Sequence, residues 1–477
     1  MAAHQSDHHH KVSITKTTSV HPKPVPPQTQ HTHLLNLSNL DRKCPMLMYL
    51  IFFYRPTPQK TLPVGSVFNS LKVSLEGVLS VWYPAAGRLA LNPTNQKLDL
   101  VCNNAGAVLV EAVTQGKISD LGDLSKYKKF YENLVYRPVF SGDFSKMPLV
   151  VAQVTMFGCG GYAVGIGISH SLVDGPATFD FLSTWASAAS GRVAGGVELL
   201  RPVHERGRLL VGQSQVQLQL NRSDVSHGTR VVAFEHLHQM IEQAIATQSV
   251  DTARMLGGCK FSEMGSTNQE EDYVLLTFSV TSAMIDSLKK RVISGRHVNG
   301  CSSFEVLAAH LWKARTKALG LKKERNICLQ FSVDTRNKMT PSLPKGFSGN
   351  AYVLTSVICT AARLEKTTLE ALVEMIREAK GLITNDYVQA YLEALEAPQR
   401  ALPPLRELTI VSDWTRMPFH AIDFGHGHAA YASPLETPLP QVAYFMQSPN
   451  EEGAVDVRIG LHPENVQAFS HYFLTNS

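Results

Sequence analysis

Apolar positions along the first half of the chain follow two different periods, and each period predicts its own kind of element. An apolar run at 46–54 and two β-rich segments at 148–157 and 162–169 predict strands. The latter two flank Gly158-Cys159-Gly160-Gly161, and a short glycine-rich connection of this kind predicts a β-hairpin.

Two other stretches of the first half repeat their apolar residues at helical spacing. The first covers 66–82 and ends at Tyr83-Pro84, because proline cannot continue a helix. The second follows Pro176, and proline is well suited to the first turn of a helix. Residues 20–30 are rich in proline and predict an extended arm.

The pattern weakens from 195 to 272 and then resumes. Glycine pairs and polar runs predict a crossover between two domains there. A strand at 273–280 opens the second half, and the capping-box spacings Ser302–Glu305 and Thr367–Glu370 predict two helix starts. The remaining predicted elements are strands at 327–333, 351–359, 408–412, 442–447 and 454–460 and a helix at 463–474.

Length and element order together predict the fold class. A chain of 477 residues is too long for one ordinary core, so two domains are expected. Strands and helices mix in both halves, which predicts an α/β protein with two lobes of similar size. We place the N-terminal lobe at 1–200, the crossover at 201–272 and the C-terminal lobe at 273–477.

Composition limits the kinds of molecule that the protein is expected to bind and the compartment in which it is expected to work. The formal net charge is only +5, and no run of lysine and arginine resembles a nucleic-acid footprint, so no DNA or RNA partner is expected. Seven dispersed cysteines without a CxxC pair predict reduced thiols. The start lacks the apolar region of a secretory signal, and 46–54 is too short to span a bilayer. We therefore expect a cytoplasmic protein without an integral membrane segment. We also expect it to be a monomer.

The most informative segment for chemistry runs from Gly165 to Gly175. An apolar run leads to His170, Asp174 follows four residues later, and Gly175 comes next. An HxxxD match is expected about once by chance with 19 histidines, but here a strand precedes the motif and a helix follows it. Histidine exchanges protons near neutral pH, so His170 is the candidate general base. The alternative is a buried histidine bonded to a backbone carbonyl.

Asp174 allows two interpretations. It could orient the imidazole, as the aspartate of a catalytic triad does. It could instead anchor the turn, either at the start of the helix after Pro176 or through an arginine. We favour the anchoring role, because residues four apart face each other only on a helix and this segment predicts a turn.

Other catalytic signatures are missing from the sequence. It contains no GxSxG elbow, no GxGxxG after a strand, no phosphate-binding loop and no metal-ligand spacing. A base without a covalent nucleophile or metal predicts direct acyl transfer from a pre-activated donor. The glycines of Asp423-Phe424-Gly425-His426-Gly427 predict a tight loop. We interpret His420, His426 and His428 as solvated or packed rather than as metal ligands.

Five ordered landmarks resemble the plant BAHD acyltransferase family. They are Tyr83-Pro84-Ala85-Ala86-Gly87-Arg88, the 170–175 motif, Val333-Asp334-Thr335-Arg336 with Gly349-Asn350, Trp414, and the 423–427 loop, in which His426 replaces the family's tryptophan. The resemblance implies the chloramphenicol-acetyltransferase-like fold, with mixed sheets in two lobes and a channel between them. It implies an acyl-CoA co-substrate, an alcohol or amine acceptor, and no other cofactor.

The resemblance also implies roles for individual residues. His170 would meet both substrates, and Asp174 would turn away from them and pair with an arginine, which we assign as Arg336. Gly175 and the loop residues Asp423, Phe424, Gly425 and Gly427 would support the site. Ser412 stands where relatives carry a hydroxyl near the oxyanion, and we expect Ser412 and Trp414 to contact substrate.

The leading hypothesis is an acyl-CoA-dependent O- or N-acyltransferase (EC 2.3.1) with an aromatic, acetyl or fatty acyl donor. The alternative is an accessory factor in very-long-chain lipid elongation, in which the HxxxD motif is dispensable. A third possibility, a lyase on the same scaffold, would more readily be accompanied by an altered motif histidine. His426 favours the accessory factor, whereas the intact His170, Asp174 and Gly175 oppose it.

Overall fold

The structure of the protein is a computed structural model. It describes residues 11–24, 32–56, 65–191, 201–211, 229–248, 273–294, 300–397, 405–435 and 441–475. The strands in this part of the chain are β1 (Ser13–Val20), β2 (His33–Leu35), β3 (Leu47–Tyr54), β4 (Arg88–Leu91), β5 (Leu98–Cys102), β6 (Ala107–Thr114), β7 (Val150–Phe157), β8 (Tyr162–Ser169), β9 (Val274–Val280), β10 (Asn326–Asp334), β11 (Tyr352–Thr360), β12 (Leu408–Asp413), β13 (Tyr431–Pro434), β14 (Val442–Gln447) and β15 (Val455–Leu461).

The α-helices of the described residues lie between groups of these strands and after the last one. They are α1 (Asn39–Arg42), α2 (Ser66–Val81), α3 (Gly175–Ala189), α4 (Val232–Gln248), α5 (Ser282–Ile293), α6 (Ser303–Ala318), α7 (Ala361–Lys366), α8 (Leu369–Gly381), α9 (Asn385–Ala394) and α10 (Pro463–Leu474). Among the residues described, none of these helices is both long enough and apolar enough to cross a membrane.

The chain forms two compact units, and each takes residues from more than one part of the sequence. The first comprises Met1–Leu220, Leu343–Ala351 and Met417–Glu436. The second comprises Asn221–Ser342, Tyr352–Arg416 and Thr437–Ser477. Both combine strands with helices, which confirms the α/β class in two units.

The boundaries differ from the division at 1–200, 201–272 and 273–477. Residues 343–351 and 417–436, which include the 423–427 loop, lie in the first unit rather than with the C-terminal half. For 417–436 the cause is strand pairing, because β13 adds to β3 in antiparallel register, with Tyr431 opposite Phe53. Within the expected crossover, 201–211 belongs to the first unit and α4 to the second, while 212–228 and 249–272 lie outside the described residues.

A six-stranded mixed sheet organises the first unit, in the order β1-β6-β7-β8-β3-β13. The pair β6–β7 is parallel and the other neighbours are antiparallel. The predicted β7–β8 hairpin, the strand at 46–54 and the two predicted helices of this half are confirmed. A smaller sheet, β2-β5-β4, belongs to the same unit.

A second six-stranded mixed sheet organises the other unit, in the order β11-β10-β12-β14-β15-β9. Its two faces pack against different helices. Ile327 and Leu329 of β10 belong to the core formed with α6, α8 and α10. Cys328 lies between them in sequence and packs against Met240 of α4 on the other side. This alternation follows from the two-residue period of a strand.

The two predicted helix caps have different outcomes. At α6 the capping box is confirmed, because the Ser302 hydroxyl accepts from the backbone N–H of Glu305, whose carboxylate accepts from the N–H of Ser302. At α8 the predicted cap at Thr367 was wrong by one residue. Thr368 is the N-cap and accepts from the N–H of Ala371, a residue that has no carboxylate to return the bond.

Candidate active site

His170 directly follows strand β8, which is buried along its whole length. The strand packs so closely that a Cβ atom on Gly165 would lie 2.1 Å from the carbonyl oxygen of Leu134. The backbone N–H of His170 donates to the carbonyl oxygen of Met46 at 3.0 Å. The backbone of the candidate base is therefore held by a buried strand and by a bond to the segment that leads into β3.

The imidazole of His170 is partly buried, and its surroundings favour the neutral form. Desolvation is the largest effect and lowers the pKa of His170 below its ordinary value of 6.5. Hydrogen bonds with the backbone of His170 and Val173 and the charge of Asp174 act in the opposite direction. A neutral imidazole at pH 7 can accept a proton, which is the first requirement of a general base.

Asp174 is the N-cap residue of α3, and its carboxylate is buried. One carboxylate oxygen accepts from the backbone N–H of Ala177 at 3.1 Å, and the other accepts from the N–H of Ala351 at 3.0 Å. Both of these bonds tie the turn to backbone rather than to the imidazole. The geometry is that of the anchoring role at the start of the helix.

Helix α3 gives the turn a rigid continuation. Gly175 is its first residue and Pro176 lies in its first turn. Farther along, the indole N–H of the fully buried Trp185 donates to the carbonyl oxygen of Leu71 at 3.1 Å and to the hydroxyl of Ser74 at 3.0 Å. Because both partners lie on α2, these bonds fix α3 against that helix.

Two residues that the sequence analysis did not single out form a buried ion pair beside the turn. The Nε atom of Arg206 lies 2.8 Å from Oδ2 of Asp41, and both side chains are fully buried. The same guanidinium donates through Nη2 to the carbonyl oxygen of Leu172 at 3.3 Å. The one sequence signal was the Ser38–Asp41 spacing, a capping box that opens α1.

Asn350 links this ion pair to His170. Its side-chain nitrogen donates to Oδ1 of Asp41 at 2.9 Å and to the carbonyl oxygen of His170 at 2.6 Å. Its backbone N–H also donates to Oδ1 of Asp41 at 2.9 Å. In the sequence, Gly349-Asn350 was a family landmark without a role, because nothing local indicates that it lies against residues 41 and 170.

A single carboxylate oxygen shapes the 423–427 loop. Oδ1 of Asp423 accepts from the backbone N–H groups of Gly425, His426 and Gly427 at 2.8, 2.9 and 2.9 Å. The two glycines have φ angles of 100° and 96°, a region that strongly favours glycine. Three backbone N–H groups of the predicted tight loop therefore point at the side chain of Asp423.

The loop is packed into the first unit by its aromatic members. Phe424 is buried and meets Trp185 edge-on at 5.4 Å and Tyr54 at 6.1 Å between ring centroids. His426 lies edge-on to Tyr162 at 5.6 Å, with Nδ1 at 3.3 Å from the phenol oxygen. Although smaller than the family's tryptophan, His426 still packs against the sheet.

The remaining predicted site residues belong to the second unit. The hydroxyl of Ser412 accepts from the indole N–H of Trp414 at 3.1 Å, and Trp414 packs edge-on against Tyr444. Arg336 follows β10 and lies 3.4 Å from the carboxylate of Asp334. The bonds described for Asp174 are to the first unit, and its pairing with Arg336 stays a prediction.

The structure thus sorts the predicted site residues into two sets. The first unit carries His170, Asp174, Gly175, Asp423, Phe424, Gly425 and Gly427, and the second carries Arg336, Ser412 and Trp414. Within the described ranges, no group of three or more histidine, cysteine, aspartate or glutamate side chains could hold a metal ion.

Comparison with known proteins identifies the family of the chain and supports its fold. The model of the Transferase family matches residues 10–475. The brassinosteroid-related acyltransferase 1 of Arabidopsis thaliana is 49% identical over 454 residues, which cover 92% of this chain and 93% of that protein. The omega-hydroxypalmitate O-feruloyl transferase of the same plant is 29% identical and covers 96% of this chain and 94% of its own.

Solved structures share the fold at lower identity. Vinorine synthase superposes with a TM-score of 0.68 at 18% identity and covers 96% of each chain. The TRI101 protein of F. sporotrichioides, solved with coenzyme A and T-2, superposes with a TM-score of 0.64 at 15% identity and covers 92% of this chain and 97% of its own. The chain therefore belongs to the Transferase family, and it is an acyl-CoA-dependent acyltransferase of the plant BAHD type.

Proposed function

We propose that the protein transfers an acyl group from acyl-CoA to a hydroxyl group of a small acceptor, with His170 as the general base. The observation that carries the proposal is the state of His170. It is a neutral imidazole directly after a buried strand, and its backbone is held by Met46 and Asn350. A neutral base in a fixed place suits proton abstraction from a bound alcohol.

In the proposed reaction the imidazole takes the proton of the acceptor hydroxyl while the oxygen bonds to the thioester carbon. The carbonyl oxygen then carries the negative charge of a tetrahedral intermediate. When the carbon–sulfur bond breaks, the thiolate of coenzyme A takes the proton back from the imidazolium. The products are the ester and free coenzyme A, and His170 returns to its neutral form.

Ser412 is the proposed donor to the oxyanion. Its oxygen accepts a hydrogen bond from Trp414, so its own proton remains for a second partner. A single donor of this kind typically contributes about 3 kcal/mol to transition-state stabilisation. Trp414 orients Ser412 through the same bond and is the second proposed substrate-binding residue.

The other predicted residues have supporting roles in the proposal. Asp174 holds the turn through its bonds to the backbone N–H groups of Ala177 and Ala351, so it does not take the proton. Gly175 starts the helix behind the turn. Asp423, Phe424, Gly425 and Gly427 keep the neighbouring loop packed against Tyr54 and Trp185.

The proposed acceptor is a hydroxylated steroid of the brassinosteroid type. Support comes from the 49% identity with a brassinosteroid-related acyltransferase, compared with 29% for the feruloyl transferase named for a hydroxylated fatty acid. The acyl donor, whether aromatic or aliphatic, is to be found by experiment. An amine acceptor is the competing class.

The test is a matrix of donors and acceptors with the purified protein. Acetyl-, long-chain acyl-, benzoyl- and hydroxycinnamoyl-CoA are each combined with a brassinosteroid, a fatty alcohol and an amine. Free thiol release and product mass are measured. We expect ester formation with the brassinosteroid, and at least about a hundredfold loss of kcat in His170→Ala.

The matched control is His238→Ala, which removes an exposed histidine of α4 and is expected to keep full activity. Near-full turnover by His170→Ala would remove His170 from the mechanism. If the protein forms an amide and no ester, the acceptor is an amine and the proposed hydroxyl acceptor is wrong.

The alternative of an accessory factor in lipid elongation rested on His426. The packing of His426 against Tyr162 gives that alternative no additional support. An accessory factor would release no thiol with any donor and acceptor pair, and His170→Ala would then preserve its effect on elongation.

A further inference from the structure

We infer that Asn350, held in place by the buried ion pair of Asp41 and Arg206, is a positioning residue for His170. The inference rests on the proposed function, in which His170 is the base. It concerns three side chains that come from different parts of the sequence and meet behind the catalytic turn.

Asn350 acts through one donor group. Both side-chain bonds, to the carbonyl oxygen of His170 at 2.6 Å and to Asp41 at 2.9 Å, come from its Nδ2 atom. Its Oδ1 atom is buried and has no hydrogen-bond partner in the described part of the chain. Removing the amide nitrogen therefore removes every side-chain bond by which this residue holds His170.

The ion pair fixes the direction in which Asn350 points. Asp41 accepts both the backbone and the side-chain N–H of Asn350 on one oxygen, while its other oxygen accepts from Arg206 and from Ser38. Since both charged side chains are fully buried, moving either one would leave an uncompensated charge away from water. The asparagine is thus attached to a rigid support.

The same support holds the turn at three points. Asn350 bonds the carbonyl oxygen of His170, and Arg206 bonds that of Leu172 at 3.3 Å. The backbone N–H of Ala351 bonds the carboxylate of Asp174 at 3.0 Å. These three bonds hold the start, the middle and the end of the turn. Loss of the bond from Asn350 therefore frees His170 more than it frees Leu172 or Asp174.

The first unit contains a second trio of the same chemistry that can serve as a control. The side-chain nitrogen of Asn92 donates to Oδ2 of Asp99 at 2.9 Å, and Oδ1 of Asp99 pairs with Arg42 at 2.5 Å. Asn92 is buried like Asn350, but its side chain bonds Asp99 of β5 and makes no described bond to Asp41 or His170, although Arg42 belongs to the same short helix α1 as Asp41. An alanine at either position removes a buried asparagine bonded to a buried, arginine-paired aspartate.

The experiment compares Asn350→Ala with Asn92→Ala in the full-length protein. Melting temperature, kcat, the KM for acyl-CoA and the pH profile of kcat/KM are measured for both variants. We expect both to melt at a lower temperature. Only Asn350→Ala should lose kcat, by about 10- to 100-fold with a KM changed less than threefold, because small displacements of a reacting group are costly. The acid limb of its profile should also move toward pH 6.5 as water reaches the imidazole.

Three outcomes separate this inference from the proposed function. If His170→Ala is inactive and Asn350→Ala keeps normal kcat, the positioning role is overturned and the base remains. If both asparagine variants lose kcat equally, the effect is one of general stability and the inference also fails. If His170→Ala is active, the proposed function itself fails. Should Asn350→Ala not fold, Asn350→Ser, whose hydroxyl is too short to reach His170, is measured against Asn92→Ser with the same expectations.

Discussion

At the scale of single residues, the protonation state of His170 depends on opposing influences. Desolvation lowers its pKa, while the charge of Asp174 and nearby backbone groups raise it by a smaller amount. Near neutral pH the balance keeps the imidazole ready to accept a proton. The sequence predicts the residue and its chemistry, but burial and backbone contacts, which set the balance, depend on packing.

The pH dependence of activity follows from this balance. Since the pKa of His170 lies below 6.5, the base form predominates at pH 7 and is lost as the pH falls through that pKa. We expect kcat/KM to be flat from pH 7 to 8 and to fall on an acid limb centred below pH 6.5. The measurement is kcat/KM between pH 5 and 8.

Asp174→Asn tests the electrostatic part of this account. Removing a charge that raises the pKa of His170 should move the acid limb to lower pH. Asp423→Asn is the matched control, because the charge of that loop carboxylate acts on Tyr54 and Tyr162. An acid limb above pH 7 in the unaltered protein, or equal shifts in both variants, would contradict the account.

At the scale of elements, local signals with a clear chemical cause predicted structure well. The β7–β8 hairpin follows from its glycine-rich connection, and α6 follows from its capping box. Helix α4 was missed, because it lies in a stretch whose apolar spacing is masked by polar neighbours. Strand β13 was missed because only four residues form it and its partner β3 is far away in the sequence.

The cap of α6 yields a stability prediction. Ser302→Ala removes the bond to the N–H of Glu305, and the loss of such a cap typically costs about 1 kcal/mol of unfolding free energy. Glu305 would keep its bond to Lys380 at 2.8 Å, so the helix should remain folded. Urea unfolding monitored by far-UV circular dichroism measures the change.

Ser303→Ala, one residue into the same helix, is the control and should change the unfolding free energy by less than about 0.5 kcal/mol. Equal effects of the two substitutions would show that hydroxyl loss, rather than capping, is responsible.

At the scale of the whole molecule, several partly or fully buried histidines link stability to pH. Desolvation lowers the pKa of each of them, and for His204 to about 4. The others are His170, His236, His310 and His420. In the unfolded chain a histidine titrates near 6.5, so between pH 6.5 and 4 the unfolded state binds more protons. The stability that the neutral His204 contributes is therefore complete above pH 6.5 and is lost toward pH 4.

We expect the melting temperature to fall as the pH is lowered from 7 to 5. Over the full range to pH 4, His204 alone would account for about 3 kcal/mol of lost unfolding free energy. Scanning fluorimetry from pH 5 to 8 measures the trend. His204→Gln, which cannot take up a proton, should weaken the dependence on pH. A constant melting temperature, or an unchanged slope in His204→Gln, would contradict the linkage.

The division of the chain into units was the part that the sequence could not reveal. The two-unit α/β class followed from length and from the mixture of elements. Two distant contacts place late segments of the chain in the first unit. Asn350 bonds Asp41, which brings in 343–351, and β13 pairs with β3, which brings in 417–436. Contacts over such separations leave no local pattern. For the same reason, Asp41 and Arg206 carried no sign of their place behind His170.

Asn350 and Ala351 are synthesised long after His170, and this order has a consequence for folding during translation. A ribosome that has just joined residue 170 to the growing polypeptide must add a further 181 residues before Ala351 exists. At ordinary elongation rates this takes on the order of ten to forty seconds. Throughout that interval the nascent polypeptide carries His170 on a turn that still lacks its hydrogen bonds to Asn350 and Ala351. The enzyme can thus acquire its working geometry only when translation is mostly complete.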